Sequence, residues 1–254
     1  AVRGLSRRSA RRRTGRLLVE GPQGVREAVR FAPGSVVDLY VTAEAADRYG
    51  EIVDAARAAQ RFVHEVTDEV LAAMCDADHP QGMAAVVEWE PTSFDTVLAA
   101  GPRTLVFLTN VRDPGNLGTV IRGADAAGAD AVLVSAESVD VTSPKVVRST
   151  VGSLWHVPVV TGLEVTETLA RLRGAGVRTF AADGSGERTV DEVDRSGPHA
   201  WVMGNEAWGL PDELLESCDE AVRVPIFGHA ESLNLAMAAT LCLYASTRAE
   251  AAQS

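Results

Sequence analysis

The sequence predicts an α/β protein with a small N-terminal module and a larger C-terminal domain built on a mostly parallel sheet. Short apolar runs bounded by turn residues alternate with helical patterns along the chain, which is typical of strands covered by helices on both faces. Residues 91–103, with two prolines and a glycine, interrupt this alternation as a linker does. We therefore expect residues 17–90 and 104–254 to form separate domains.

The N-terminal module is predicted to contain three strands and two helices. The strand-like runs are LLVEG at 17–21, VVDLYVT at 36–42 and MAAVVEW at 83–89, and the helical patterns cover 24–30 and about 44–60. The linker itself holds one predicted helical turn. This mixture of elements indicates a small α/β domain.

Six further apolar runs follow the linker, most of them separated by helical patterns. They lie at 104–110, 131–135, 156–160, 177–183, 200–204 and 221–226, and a long apolar helix is predicted over about 235–249. Ligands bind beyond the carboxyl ends of the strands in such sheets. The residues that follow each run are therefore the candidates for a functional site.

Charge is distributed unevenly along the chain. The net charge of −11 argues against a protein that coats nucleic acid over its whole surface, because phosphate neutralisation requires Lys and Arg. The first sixteen residues nevertheless contain seven arginines and no acidic residue. The arginines are Arg3, Arg7, Arg8, Arg11, Arg12, Arg13 and Arg16. We predict that residues 1–16 form a flexible basic arm attracted to RNA phosphates, although a solvated terminus without a ligand fits the same composition.

The composition predicts neither metal chemistry nor a membrane location. Cys75, Cys218 and Cys242 are far apart, and the five histidines are scattered, so no metal-ligand spacing is present. The chain lacks a run of about eighteen apolar residues, and no apolar segment follows the first arginines as in a secretory signal. We expect a cytoplasmic protein with buried thiols and no metal site.

The first candidate loop is NVRDPGNLGTVIR at 110–122, which combines a turn signal with the start of a helix. Asn116 and Arg122 are six residues apart and do not share a face within a helix. A turn at the helix start would direct both side chains toward one pocket. An ordinary Pro-Gly loop with a solvated arginine has the same sequence features.

Two further candidate loops follow the last two predicted strands. In GNEAWGLP, Gly204 lets a ligand approach the backbone, and Glu206 lies at or near a helix start, where the dipole favours a carboxylate. In FGHAESLN, Ser232 is the expected N-cap of the last helix and Asn234 lies in its first turn. Capping alone would explain these residues, but all three loops converge on one end of the predicted sheet.

Taken in this order, the loops resemble the three sequence motifs of the SpoU, or TrmH-like, RNA methyltransferases of the SPOUT superfamily. The matching segments are NVRDPGNLGTVIR, MGNEAWGL and VPIFGHAESLNL, and the resemblance spans most of residues 101–250. LLVEGPQGVREAV and HPQGMAAVV in the first ninety residues resemble the ribosomal-protein-like RNA-binding domain of many such enzymes. The resemblance implies a trefoil knot in the C-terminal domain and methyl transfer from S-adenosylmethionine to a ribose 2′-hydroxyl, with 23S ribosomal RNA as the expected substrate.

The resemblance also implies a cofactor site. The positions that correspond to cofactor-lining residues of the family are Gly204, Val224, Ile226 and Leu233, with Ala181 added from the preceding strand.

Catalytic roles are implied by the same motifs. Arg122 corresponds to the arginine that handles the ribose hydroxyl, as a base or as an anchor for an RNA phosphate, and both roles stay open because a guanidinium gives up its proton with difficulty. Asn116 is expected to position the ribose or Arg122, and Glu206 to orient Arg122. Ser232 and Asn234 are expected to fix the cofactor loop or the substrate.

A homodimer is implied as well, with the knot and the last helix packed against the partner. The predicted dimer face comprises Leu235, Ala238, Ala239, Cys242 and Leu243, although a core helix would have the same pattern. Two other functions stay open on sequence alone: a methyltransferase of the same superfamily acting on transfer RNA or on a base, and a non-catalytic protein that binds RNA or the ribosome.

Overall fold

The computed structural model of the chain describes residues 2–251. Within this range the chain folds into two compact units. The first contains the residues up to Glu90 and the segment Asp140–His156, and the second contains Pro91–Val139 and the residues from Val157 onward. The first unit is therefore discontinuous in sequence, which differs from the predicted boundaries.

Helices and strands alternate over most of the described range, and they are numbered in chain order. The α-helices are α1 (Arg8–Thr14), α2 (Pro22–Phe31), α3 (Ala43–Arg48), α4 (Gly50–Ala58), α5 (Asp68–Met74), α6 (Phe94–Ala99), α7 (Pro114–Ala127), α8 (Pro144–Thr150), α9 (Val165–Gly174), α10 (Asp212–Ser217) and α11 (Leu235–Ala251). The strands are β1 (Arg16–Glu20), β2 (Val36–Val41), β3 (Phe62–Glu65), β4 (Met83–Glu88), β5 (Thr104–Leu108), β6 (Ala131–Ser135), β7 (Val159–Leu163), β8 (Arg178–Ala182), β9 (Arg188–Thr189), β10 (His199–Met203) and β11 (Glu220–Arg223). Short 3-10 helices lie at Val2–Ser6, Pro33–Ser35 and Ser153–Trp155.

The first unit is built on a sheet with the strand order β1-β4-β2-β3. Strand β4 runs antiparallel to β1 and β2, whereas β3 runs parallel to β2. The three strands predicted for this region are present. Strand β3 was not predicted, because it is an edge strand whose residues are mostly exposed and lack the alternation of a half-buried strand. The single predicted helix over 44–60 is two helices that meet at Tyr49 and Gly50.

Ionic contacts hold the segment Asp140–His156 in the first unit. A guanidinium nitrogen of Arg148 lies 3.0 Å from a carboxylate oxygen of Glu20, and another lies 3.1 Å from Asp76. The Glu20 side chain is only 3% exposed, and its carboxylate also accepts two backbone N–H groups. Arg148 and Glu20 are 128 residues apart in sequence, so no local pattern could have predicted that this segment belongs to the first unit.

Residues 2–14 differ from the flexible arm that the sequence predicts for residues 1–16. Val2–Ser6 form a 3-10 helix, α1 follows it, and Arg16 already begins β1. One arginine of this stretch, Arg11, is 5% exposed and pairs with Asp140. The buried ion pair and the apolar contacts of Leu5 hold this stretch against the rest of the first unit.

The second unit is built on a sheet of seven parallel strands in the described range, with the order β7-β6-β5-β10-β8-β11-β9. The predicted mostly parallel α/β sheet is confirmed. All six predicted strands are present, but β7 begins at Val159, three residues later than predicted. The predicted linker contains α6, whose Phe94 and Val97 pack in the core of this unit.

Helix α11 packs against α7 and contacts strands β10 and β5. This packing buries four residues of the predicted dimer face in their own chain: Leu235, Ala239, Cys242 and Leu243. The predicted face is therefore a core face. A different apolar stripe remains exposed on α11, formed by Met237, Leu241 and Tyr244 at helical spacing.

The three thiols differ in burial. Cys218 and Cys242 are buried, whereas Cys75 is only half-buried, in contrast to the prediction. Burial raises the pKa of Cys75 and Cys242 to about 12 and that of Cys218 to about 11. Between residues 2 and 251, no group of three or more His, Cys, Asp or Glu side chains is arranged to hold a metal ion. No helix in that range has the length and apolar character needed to cross a membrane.

A buried polar cluster joins α11 to β10. The Trp201 indole N–H donates to Ser246 Oγ at 2.9 Å, and His199 Nε2 lies 2.7 Å from the same oxygen. All three residues are at most 1% exposed. We predict that Ser246→Ala lowers the free energy of unfolding by about 1–3 kcal/mol, because the indole N–H loses its buried acceptor.

Urea unfolding of Ser246→Ala and of a control variant measures this loss of stability. The control is Ser185→Ala, at an exposed position of the same unit. The control should stay within about 0.5 kcal/mol of the unmodified protein. Equal losses for the two variants would contradict a role for the buried hydroxyl.

Candidate functional site

A cavity of about 450 Å³ opens at the carboxyl ends of adjacent strands in the seven-stranded sheet. Its wall is formed by the loops that follow β8, β10 and β11, and by residues at the starts of α7 and α11. The strands β5, β10, β8 and β11 are neighbours in this order, so the loops that follow them lie together. This is the edge of a parallel sheet at which ligands bind.

The first loop leads from β5 into α7. Its turn residues are the beginning of the helix: Asp113 is the N-cap, its carboxylate accepts the Asn116 backbone N–H at 2.7 Å, and Pro114 opens the first turn. Proline is favoured there because an N–H group in the first turn has no acceptor within the helix, so no hydrogen bond is lost when it is absent. Asn116 is thereby fixed in the first turn of α7, where it lines the cavity.

The carboxylate of Glu206 joins the second loop to the first. It accepts the backbone N–H groups of Arg112 at 3.2 Å and Asp113 at 3.1 Å, and the Asn116 side-chain amide at 3.3 Å. Partial burial alone raises the pKa of Glu206, but these bonds and one from its own backbone N–H outweigh burial and lower the pKa below the usual 4.5. Glu206 is therefore ionised at neutral pH.

The third loop is joined to the first by two asparagines. The Asn234 side-chain amide donates to the Asn116 side-chain oxygen at 2.9 Å. The Asn234 side-chain oxygen accepts the backbone N–H groups of Ala236 at 2.9 Å and Met237 at 3.3 Å. Asn234 is therefore the N-cap of α11, and the prediction of Ser232 as the cap is wrong, because the helix begins two residues later than that prediction requires. Ser232 lines the cavity and is exposed.

The second loop is a tight turn that depends on two glycines. Asn205 and Gly209 exchange backbone hydrogen bonds of 2.9 Å in both directions. A Cβ on Gly204 would lie 2.3 Å from the carbonyl carbon of Gly209, and Gly209 has a φ of +68°. Gly204 lines the cavity, as its place in the motif predicts. Glycine is required there because a side chain would collide with Gly209 of the turn, not because a ligand approaches.

Asn205 contributes to the site and was not singled out from the sequence. Its side-chain amide donates to the Asn110 carbonyl at 2.7 Å, and its side-chain oxygen accepts the Ala207 backbone N–H at 2.8 Å. The first bond fixes the first two loops to each other, and the second bond stabilises the turn of the second loop. The sequence signal that could have identified Asn205 was its position directly before Glu206, at the end of a predicted strand.

Three predicted cofactor residues line the cavity from the loop after β11, namely Val224, Ile226 and Leu233. The Ala181 side chain is fully buried in the core of the unit and does not line the cavity, because side chains alternate along a strand, and its contact with a cofactor stays a prediction. The residues after it, Ala182, Asp183 and Gly184, line the cavity instead. The Asp-Gly turn after the strand was the available signal.

Arg122 lies apart from the other predicted site residues. Both Asn116 and Arg122 are within the regular part of α7, so their side chains point about 120° apart, and no turn brings them together. Arg122 is exposed and does not line the cavity. Among residues 2–251 it has no hydrogen-bonded or ionic side-chain partner, and Glu206 binds the first loop rather than Arg122. The predicted pairing of Glu206 with Arg122 is therefore absent from the described chain.

The family model described as SpoU rRNA Methylase family matches residues 103–244, which include every loop of the cavity. The chain belongs to the SpoU rRNA methylase family. The resemblance stated from the three motifs is thereby confirmed. A second model, described as RNA 2′-O ribose methyltransferase substrate binding, matches residues 18–91, and so most of this SpoU family member is covered.

Several proteins are similar to this SpoU family member over nearly their whole length. The 23S rRNA (guanosine-2′-O-)-methyltransferase RlmB of Bordetella pertussis is 34% identical, with 91% of this chain and 96% of the relative covered. The 23S rRNA (guanosine(2553)-2′-O)-methyltransferase RlmP of Bacillus subtilis is 32% identical, with 94% and 92% covered. The solved structure of the SpoU methyltransferase AviRb of Streptomyces viridochromogenes with AdoMet has a TM-score of 0.85 at 30% identity, with 99% and 97% covered.

We predict that Glu206→Gln loosens the first loop, because an amide offers one acceptor oxygen to three N–H donors. The folded-state pKa of Glu206 is lowered, so the carboxylate stabilises the fold fully above its usual pKa of 4.5, and this contribution is lost as the pH falls through the lowered value. The unfolding midpoints of Glu206→Gln and of the unmodified protein, measured from neutral to acid pH, should differ most at neutral pH and converge in acid.

Glu216→Gln is the matched control, an exposed carboxylate on α10. A difference between Glu206→Gln and the unmodified protein that is independent of pH would show that the carboxylate charge has no part in the effect.

Proposed function

We propose that this chain transfers the methyl group of S-adenosylmethionine to a ribose 2′-hydroxyl of 23S ribosomal RNA. The observation that carries the proposal is the cavity walled by the three family motifs, with Glu206, Asn116 and Asn234 bonded in series. The names of similar proteins that cover nearly the whole chain support the reaction and the substrate. A ribosomal RNA substrate places the proposed reaction in the cytoplasm.

The cavity suits S-adenosylmethionine in size and in lining. Its volume of about 450 Å³ is within the range of about 300–1,000 Å³ of small-molecule sites. Val224, Ile226 and Leu233 offer an apolar surface, and Gly204 lines the same cavity. We infer that these residues hold the cofactor, which supplies a methyl group already activated by the sulfonium.

The hydrogen-bonded series fixes side chains at the edge of this cavity. Glu206 stays ionised and holds Asn116, and Asn116 in turn accepts from Asn234. A fixed amide can orient a ribose hydroxyl for in-line attack, and such positioning supplies a large part of the rate enhancement in transfer reactions. We infer that Asn116 and Asn234 orient the ribose and that Ser232, exposed in the same wall, contacts the cofactor or the substrate.

Arg122 is the proposed contact for the RNA phosphate next to the reacting ribose. Its guanidinium is exposed and has no ion-pair partner within residues 2–251, which leaves it available to an anionic ligand. A guanidinium remains protonated at neutral pH, so its role is to hold the phosphate and align the hydroxyl.

We propose a homodimer in which the exposed stripe of α11 meets a second copy. Met237, Leu241 and Tyr244 are 59%, 42% and 40% exposed, respectively. The Tyr244 hydroxyl donates to the carbonyl of Ala126, one turn beyond Arg122 on α7. Arg122 therefore lies beside the stripe, and we propose that it acts at the cavity of the second copy.

We also propose that the second unit contains a trefoil knot, as the family resemblance implies. The segment after β11 passes beside the loops that follow β8 and β10 in the cavity wall before it enters α11. Helix α11 then packs against α7 and β5, which lie near the beginning of this unit. Such a return through earlier loops departs from the usual topology rules.

Methyl transfer tests the proposed function directly. The purified protein should transfer tritiated methyl groups from S-adenosylmethionine to 23S ribosomal RNA, and nuclease digestion should yield 2′-O-methylated nucleosides. Label in a base or only in transfer RNA would contradict the proposed product or substrate. Absence of both transfer and cofactor binding would favour a non-catalytic RNA-binding protein.

We predict that Arg122→Ala lowers methyl transfer at least about 100-fold, because an electrostatic contact to the reacting nucleotide is lost. Calorimetry should show nearly unchanged binding of S-adenosylmethionine, since Arg122 does not line the cavity. Arg173→Ala, at an exposed arginine of the same unit, serves as the control and should remain active. A fully active Arg122→Ala protein would remove Arg122 from the proposed mechanism.

We predict that Met237→Glu combined with Leu241→Glu converts a dimer into a monomer, because four like charges would meet across the interface. Sedimentation at micromolar concentration measures the state. Val70→Glu, at an exposed valine of the first unit, is the control and should remain a dimer. A monomeric unmodified protein would rule the interface out.

A further inference from the structure

The arginines of the first fourteen residues fall into two structural groups. Arg11 is buried, with 5% of its surface exposed. The others are exposed: Arg3, Arg7, Arg8, Arg12 and Arg13. A flexible arm would not divide them in this way, so the two groups have different roles.

Arg11 is the anchor of this stretch. One guanidinium nitrogen donates to the carbonyls of Leu5 at 2.9 Å and Ser6 at 2.8 Å, which ties the 3-10 helix to α1. The other nitrogens donate to Thr142 Oγ1 at 3.0 Å and Asp140 at 2.7 Å, which ties both helices to the rest of the first unit. Because Arg11 donates these hydrogen bonds within its own unit, its role is structural.

The carboxylate of Asp140 is suited to hold this anchor at neutral pH. It also accepts the backbone N–H of Thr142 at 3.0 Å and its hydroxyl at 2.8 Å. Burial raises the pKa of Asp140, but the hydrogen bonds from Arg11 and Thr142 outweigh burial and lower it. Asp140 therefore remains ionised and the pair persists.

The exposed arginines form a basic surface on the outer side of the anchor. At about 100° per residue, Arg8, Arg12 and Arg13 lie within an arc of about 140° on α1. Arg8 lies 3.6 Å from Asp140, but Arg7, Arg12 and Arg13 have no ion-pair partner in the described chain. In a protein with a net charge of −11, this surface is a local concentration of uncompensated positive charge.

We propose that residues 2–7 and α1 are a preformed surface for the phosphate backbone of the RNA substrate. The proposal rests on the proposed function. RNA is favoured over other anionic partners because α1 leads directly into β1, the first strand of the region that matches the substrate-binding family model. Arginines on a fixed helix lose less conformational freedom on binding than those of a flexible arm, so each contact contributes more to affinity.

The salt dependence of RNA binding tests the basic surface. We compare the full-length triple variant Arg7→Gln, Arg12→Gln, Arg13→Gln with the control Arg30→Gln, Arg48→Gln, Arg57→Gln, which removes the same charge from exposed arginines of α2, α3 and α4. The slope of log K against log salt for 23S ribosomal RNA should become shallower by about 2 in the first variant, at roughly 0.7 per lost phosphate contact. It should change less in the control, and equal slopes would overturn the proposal.

A second comparison tests whether the surface is preformed. Arg11→Gln and Arg12→Gln remove one charge each, but Arg11 is buried and Arg12 exposed. A preformed surface requires that Arg11→Gln weaken RNA binding at least as much as Arg12→Gln and accelerate backbone hydrogen exchange over residues 8–14. If Arg11→Gln binds RNA as tightly as the unmodified protein, the arginines act as a flexible tail and the anchor role is wrong.

Methyl transfer separates this proposal from the proposed function. At saturating RNA, the triple variant should keep kcat and show a raised KM. If the unmodified protein binds RNA but transfers no methyl group, the proposed function fails while the slopes still test the surface. If the arginines instead govern binding to vesicles of anionic lipid and leave RNA binding unchanged, the assigned partner is wrong.

Discussion

The carboxylate of Glu206 is the contact on which the site depends. The backbone N–H groups of Arg112 and Asp113, just before α7, need acceptors from outside the helix. Glu206 accepts two of them and also holds Asn116, so one charged group from the turn after β10 sets the position of the loop after β5. Asn234 then extends the same series to the start of α11. A neutral side chain at this position could not satisfy all three donors.

The fold was largely predictable because its strands are short apolar runs, and such runs are visible in sequence without any partner. Strand β3 escaped prediction because it has little buried surface. Other missed features depend on contacts between distant residues: the segment Asp140–His156 is held by the pairs of Asp140 with Arg11 and of Arg148 with Glu20, each more than a hundred residues apart. The burial of Arg11 also depends on a distant partner, and it could not be predicted because the surrounding segment has the composition of a solvated basic tail.

The site was predictable to the level of its loops but not of its contacts. Motif order brought Asn116, Glu206 and Asn234 to the same edge of the sheet, and in the structure they are bonded to one another. The sequence could not indicate where each helix begins, and that decides which residue caps α11 and where Arg122 points. Side-chain direction along β8 likewise decides that Ala181 faces the core whereas Ala182 faces the cavity.

The discontinuous first unit has a consequence for synthesis on the ribosome. Residues up to Glu90 emerge first, but Glu20 stays without its Arg148 partner until the segment Asp140–His156 has also left the exit tunnel. At about 5–20 residues per second, Glu20 lacks its Arg148 partner for several seconds. The N-terminal unit therefore cannot complete its folding in the order in which it is translated, and it must wait for a segment made in the middle of its neighbour.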